Sequence, residues 1–164
     1  MRIKKGFTII ELVVIMTIIG IVAVVVIVSG SPKSSVRLHA ACQKLAADLR
    51  YMQGMAIAQQ VRFGISFDPN NESYFGYRVS TSTKAADPHT QKDLEMDFDG
   101  MREFNEVRID STNFNNAVEF DSAGAPYGGT GTLLSSEGVV TLQTTDGLSR
   151  TVRIEPRTGK VKVQ

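Results

Sequence analysis

Lys4-Lys-Gly-Phe-Thr-Ile-Ile-Glu11 is the stretch on which the reading of this chain turns. A short basic leader (Arg2, Lys4, Lys5) ends at Gly6, and an apolar run opens at Phe7 and continues to Val28. From Ile9 to Val28 this run would cover roughly 30 Å as a helix at 1.5 Å per residue, the hydrocarbon thickness of a bilayer. One acid, Glu11, stands inside it. A carboxylate near the bilayer centre costs ~2.5–3.5 kcal/mol on insertion scales, so an acid in such a run marks a function by default.

Three readings fit part of this pattern. A secretory signal peptide has the basic start and the apolar region, but the small residues that should follow read Val28-Ser-Gly-Ser-Pro32, a poor cleavage site. A plain single-pass anchor fits the length and the basic flank, which stays cytoplasmic. It gives Glu11 no role. The order basic residues, Gly, Phe-Thr, two apolar residues, Glu, apolar run resembles the type III signal of type IV pilins and type II secretion pseudopilins. That resemblance implies cleavage by a prepilin peptidase between Gly6 and Phe7, N-methylation of Phe7, and a part in filament assembly for Glu11.

The chain has 164 residues. Less a leader (1–6) and an anchor (7–30), about 130 residues remain, enough for one domain with a modest core. Lys and Arg number 18 against 17 Asp and Glu, and losing Arg2, Lys4 and Lys5 leaves 15 against 17. Whole-chain charge therefore argues for no particular partner. The single cysteine, Cys42, excludes an intramolecular disulfide and sits among alanines as a small apolar residue. Catalysis finds no constellation. His39 and His89 have no metal-like spacing to each other or to Cys42, and Gly128-Gly-Thr-Gly-Thr132 lacks the Gly-Lys-Ser/Thr of a phosphate loop. No enzyme, cofactor or metal is expected.

Beyond the anchor, Ser31-Pro32 reads as an N-cap followed by proline at the first helical position. Leu38, Cys42, Leu45, Leu49, Met52 and Ala56 then recur at spacings of three and four, with Arg37, Lys44, Asp48 and Arg50 between them. This predicts an amphipathic helix over 31–60. Whether it is kinked against the anchor at Gly30–Pro32 stays open. The period then changes to two: Val61, Phe63, Ile65 and Phe67 alternate before the turn Asp68-Pro-Asn-Asn, and Tyr74 to Val79 is the hairpin partner. Residues 80–92 read as a polar surface loop. Further strands are expected around Leu94–Phe98, Glu106–Asp110, Ala117–Phe120, Val139–Thr144, Arg150–Glu155 and Lys160–Val163, with Asp146-Gly147 as a hairpin turn. A helix followed by seven or eight short strands over 61–164 is an α+β arrangement, a long N-terminal helix on antiparallel β-sheets.

Two charged stretches stand out. Residues 93–121 hold nine acids against Arg102 and Arg108, a net of −7, and Asp93-Leu-Glu-Met-Asp-Phe-Asp-Gly100 places acids at every second position. A strand projects such acids along a line, whereas a calcium ion needs them to converge, so a solvated face or a patch meeting a basic neighbour is expected. From Asp146 to Gln164, five basic residues face Asp146 and Glu155, a net of +3.

Leu45-Ala-Ala-Asp-Leu-Arg50 with Ala56-Ile-Ala, Phe120 with Gly124 and Pro126, and Arg153-Ile-Glu-Pro with Thr158-Gly-Lys-Val161 are similar to the GspH/FimT branch of the pseudopilins. That resemblance implies two antiparallel sheets packed beside the helix, in a GspH-type β-sandwich. It implies a structural subunit of a type II secretion pseudopilus or type IV pilus. Its partners would be the prepilin peptidase, other pilins or pseudopilins and the bacterial inner membrane, with the C-terminal domain in the periplasm. A second reading on the same scaffold is a DNA-uptake minor pilin. Relatives of that kind carry Gly-Arg-x-Arg where this chain has Gly159-Lys-Val-Lys162, so Arg157, Lys160 and Lys162 would contact DNA phosphates. Lysine lacks the arginine fork, and no aromatic residue interleaves to stack bases.

Overall fold

The computed structural model describes residues 8–28 and 33–164, with side chains for 8–21 and 34–164. Gly6, Phe7 and the Gly30–Pro32 junction lie outside the described residues. The chain divides into two compact units, 1–33 and 34–164. The first holds helix α1 (Ile9–Val28).

In the second, helix α2 (Lys33–Gln59) buries every apolar position its periodicity predicted: Leu38, Cys42, Leu45, Leu49, Met52 and Ala56. Each fully buried leucine contributes roughly 1.5–3 kcal/mol relative to exposure. Ala41 and Ala46 join them because their small side chains let the helix approach the sheets closely. The helix stops at Gln60, whose φ of 55° is left-handed. Its own side-chain amide donates to the Ile57 carbonyl at 2.7 Å, satisfying one of the last orphan acceptors.

Ten strands follow among the described residues, more than the seven or eight expected. β1 (Phe63–Asp68), β2 (Ser73–Arg78), β3 (Thr83–Lys84), β4 (Glu95–Asp97), β6 (Ala117–Phe120) and β7 (Pro126–Gly128) form one antiparallel sheet in the order β3-β2-β1-β6-β7, with β4 also paired to β2. β5 (Val107–Thr112), β8 (Gly138–Thr144), β9 (Ser149–Ile154) and β10 (Val161–Val163) form the other, in the order β10-β9-β8-β5. The expected alternation places Phe63, Ile65 and Phe67 in the core. Leu94, Met96 and Phe98 are buried too, while Glu95, Asp97 and Asp99 face water.

Two expectations change. The polar loop 80–92 contains β3 and ends in a bridge between Ala86 and Asp93, because its backbone completes the edge of β2 and its Ala85 enters the core. β7, Pro126-Tyr-Gly, was not foreseen: at three residues it is too short to show alternation, and β6 supplies its order. The outer edges of the four-stranded sheet are each met by a side chain. The Glu72 carboxylate accepts from the Ile109 N–H at 2.7 Å, and Arg50 donates to the Val161 carbonyl at 3.0 Å. Blunted edges resist pairing with other chains.

One side chain of α2 bonds to turns of both sheets. The Gln53 amide nitrogen donates to the Gly124 carbonyl and to the Thr158 carbonyl, both at 2.9 Å. Gly124 (φ 81°) closes the β6–β7 turn and Gly159 (φ 65°) the β9–β10 turn. A Cβ on Gly159 would lie 2.4 Å from the Gly124 oxygen and 2.5 Å from the Gln53 amide nitrogen. Backbone clash adds to the ~1–2 kcal/mol cost of a left-handed L-residue.

Asp48 departs from the sequence reading. Placed there among the polar residues of α2, it is 6% exposed. Its carboxylate accepts from the buried Tyr74 hydroxyl at 2.7 Å and from Lys44 Nζ at 2.6 Å, with Asp87 at 4.0 Å from the same ammonium. Burial pushes the Asp48 pKa up, outweighing the hydrogen bonds from Lys44 and Tyr74 that pull it down. It pushes the Tyr74 hydroxyl up as well.

Two outcomes are expected. Gly159→Ala should lower unfolding stability by more than ~2 kcal/mol. Gly131→Ala, whose added Cβ meets nothing within 4 Å although its φ is 75°, should cost only the local conformational term. Urea midpoints of the detergent-extracted chain test this, and equal losses would refute the clash. For Asp48, a folded pKa above the ordinary 3.8 means that the group's contribution weakens the fold as pH rises past about 4, until the folded carboxyl is fully ionised. Asp48→Asn removes that slope, so the variant should gain on wild type between pH 4 and neutrality. A stability difference that does not change with pH would show that Asp48 does not titrate in this way.

Candidate assembly site

Thr8 caps α1. Its carbonyl and its hydroxyl both face the Glu11 N–H, at 3.1 and 3.3 Å, and the Leu12 N–H donates to the same carbonyl at 3.2 Å. Thr8-Ile-Ile-Glu11 has the spacing of a capping box, with the acid in the first turn where the helix dipole favours negative charge. The large apolar side chains from Ile9 to Ile21 fall on all sides of the helix and are 42–87% exposed. A helix apolar all round has to be covered by something other than water. The other polar side chain of this stretch hides its polarity: the Thr17 hydroxyl lies within hydrogen-bonding distance of the Val13 and Val14 carbonyls. Glu11 is the one charge left on this surface, and no described side chain pairs with it. Within the described part of the chain no helix is long and apolar enough to cross a membrane. The described side chains of α1 stop at Ile21, and the sequence stays apolar through Val28.

Arg157, Lys160 and Lys162 lie on the β9–β10 hairpin and are all exposed. Lys162 Nζ is 2.5 Å from Glu155, which pulls the carboxyl pKa down and pushes the lysine pKa up. Arg153 is 2.6 Å from Glu137. The hairpin therefore offers Arg157 and Lys160 as its exposed cations without an acid partner among the described residues. The acidic stretch 93–121 is also partly balanced, by Lys84 on Glu95, Arg37 on Glu106 and Arg62 near Glu119. Cys42 is buried, and burial pushes its thiol up to about 11, so it is inert. His39 and His89 are exposed and far apart in sequence. No group of acids, histidines and cysteine among the described residues could hold a metal ion.

Residues 41–159 match the family described as type II transport protein GspH, and residues 1–27 match the prokaryotic N-terminal methylation motif. The chain belongs to the GspH family. That places it in the pilin and pseudopilin superfamily. Two solved structures share the GspH-type fold. The minor pseudopilin EpsH from the type 2 secretion system of Vibrio cholerae aligns at 8% identity, over 78% of this chain and 96% of that one, with a TM-score of 0.57. The type IV minor pilin FimU of Pseudomonas aeruginosa aligns at 17% identity, over 77% of this chain and 87% of that one, with a TM-score of 0.53. No curated protein matches the chain.

Of the residues singled out from sequence, Glu11, Arg157, Lys160 and Lys162 fall within the described part of this GspH-family chain. Thr8 was missed, although its spacing to Glu11 was readable. Gln53 was also missed, and nothing in a helical pattern distinguishes it from any exposed glutamine. For the hairpin, we expect no retardation of duplex DNA by the chain at low salt, as measured by gel mobility. If a shift appears, two free cations set a log–log salt slope near about −1.8. A shift that disappears in the Arg157, Lys160 and Lys162 triple alanine variant would reverse this expectation.

Proposed function

We propose that this chain is a minor pilin or pseudopilin, a structural subunit rather than an enzyme. Prepilin peptidase cuts it between Gly6 and Phe7, the new N-terminus at Phe7 is methylated, and α1 then packs among other subunits of a type II secretion pseudopilus or type IV pilus. Before assembly the run from Phe7 to Val28 holds the protein in the bacterial inner membrane in a single pass, with the C-terminal domain in the periplasm. One observation carries the reading: a helix apolar on every side bears a single acid, Glu11, in its first turn. The match to the N-terminal methylation motif and the GspH family supports it.

The role of Glu11 follows from electrostatics. Cleavage creates an α-ammonium at Phe7, and a neighbouring subunit can bring that charge to the carboxylate. Opposite charges about 4 Å apart attract by ~4 kcal/mol at an effective dielectric of 20, comparable to the cost of holding the acid in lipid. Removing either charge leaves the other uncompensated.

Gly6→Ala should leave the leader attached, and Glu11→Ala should be processed and inserted normally yet co-assemble poorly. Intact mass of membrane-extracted protein and cross-linking into filaments read the two effects. A wild-type chain that still starts at Met1 in cells containing the peptidase refutes the processing step. Normal incorporation of Glu11→Ala refutes the charge-pair role.

A further inference from the structure

Among the described residues Asp48 is the one buried acid, and it stands beside a cavity. The chain from 85 to 94, between β3 and β4, forms a strap against α2. Its backbone is closed on itself: the Leu94 N–H donates to the Ala85 carbonyl at 2.7 Å, the Asp87 N–H to the Lys92 carbonyl at 2.7 Å and the Gln91 N–H to the Asp87 carbonyl at 3.1 Å. Two side chains of α2 reach it. The Tyr51 hydroxyl donates to the Ala86 carbonyl at 3.1 Å. Lys44 Nζ lies 2.6 Å from Asp48 on its own helix and 4.0 Å from Asp87 on the strap. Lys44, Asp48 and Tyr51 face Asp87, Pro88 and His89 across a cavity of about 230 Å³. One ammonium thus stands between two carboxylates. It bonds to Asp48 and leaves Asp87 beyond hydrogen-bonding distance.

We propose that Lys44 is a two-position latch: ionised Asp48 holds it on the helix, and protonated Asp48 releases it to Asp87, where it pins the strap to α2 and narrows the cavity. The groups that face Asp48 are Lys44 from its own helix, the Tyr74 hydroxyl from β2 at 2.7 Å, and Asp87 from the strap. Tyr51 and His89 complete the titratable lining of the cavity. The two carboxylates differ in the order in which they take a proton. Burial pushes the Asp48 carboxyl up. The Thr90 and His89 N–H groups, both donating to the Asp87 carboxylate at 2.8 Å, hold that carboxyl down. As pH falls towards 4, Asp48 therefore neutralises while Asp87 keeps its charge. With Asp48 ionised, Lys44 and the two acids sum to −1, and Asp87 is the acid left short of a cation. With Asp48 neutral they sum to zero, and Lys44 has one ionic partner to choose. The strap is then held by two side chains of α2, Tyr51 and Lys44, where Tyr51 alone makes a hydrogen bond to it otherwise.

Asp48→Asn places a neutral group of the same size on the helix at neutral pH, so the latch can be read without titration. The experiment follows deuterium uptake by peptides covering 85–94 in the detergent-extracted full chain, at pH 7, by mass spectrometry. Uptake there should be slower in Asp48→Asn than in wild type by about two- to fivefold, the range of one exposed ion pair. Adding Lys44→Met to Asp48→Asn should abolish the slowing, which a general stabilisation of the fold by asparagine would not do. Lowering the pH of the wild-type chain towards 4 should slow the same peptides once the intrinsic exchange rate is corrected for, and His89→Gln should keep that response. Equal uptake in wild type and Asp48→Asn would overturn the latch. So would slowing that survives Lys44→Met, or a pH response that disappears with His89→Gln. If Asp48→Asn does not fold, the pH series of wild type against Lys44→Met decides: a response lost with Lys44 supports the latch, and a response that remains overturns it.

Discussion

One amide group of α2 bonds to both sheets of this domain. Gln53 donates to the carbonyls of Gly124 and Thr158, which close turns in different sheets. The two turns also touch each other there, at Gly124 and Gly159. Both turns need left-handed glycine, and their backbones come so close that no Cβ fits at Gly159. Phe120, Gly124, Pro126, Thr158 and Gly159, scattered through the sequence, thus belong to one local arrangement.

Much of the fold was legible because hydrophobic period is a strong signal over long elements. The apolar stripe of α2 was read residue by residue, and β6 was placed with its exact bounds, Ala117–Phe120, since its alternation is flanked by turn residues. The α+β arrangement of a helix on antiparallel sheets followed from that. What stayed hidden is set by tertiary partners. β3 has two residues and β7 three, and each exists as a strand only because a neighbour offers its edge. Asp48 looked like any polar residue on a helix flank. Its burial depends on a tyrosine 26 positions away in sequence, whose hydroxyl makes an interior carboxylate tolerable.

Charge was the least transferable part of the reading. Summed along the chain, 93–121 is strongly acidic and the C-terminal end basic. In three dimensions Lys84, Arg37 and Arg62 arrive from elsewhere to meet Glu95, Glu106 and Glu119, and Glu155 and Glu137 meet Lys162 and Arg153. These exposed pairs add little stability, because solvent screens them and ordering the side chains costs entropy. Their effect is on the surface field, which is flatter than the sequence implies. For the hairpin this leaves Arg157 and Lys160 to act where three cations were counted.

The N-terminal stretch was the most legible feature, for the opposite reason. Its signal is local: Thr8, Glu11 and the apolar run sit within one helix and need no fold to be recognised. The globular unit hides its own apolar core beneath α2 and the two sheets, whereas α1 turns apolar side chains outward on every side. The two parts meet the same physical requirement, covering apolar surface, by different means. One does so by folding on itself. The other is a lone helix and cannot cover its own apolar sides. Glu11 is no part of the core of the globular unit, whereas a change at Gly159 strikes the packing of that unit directly.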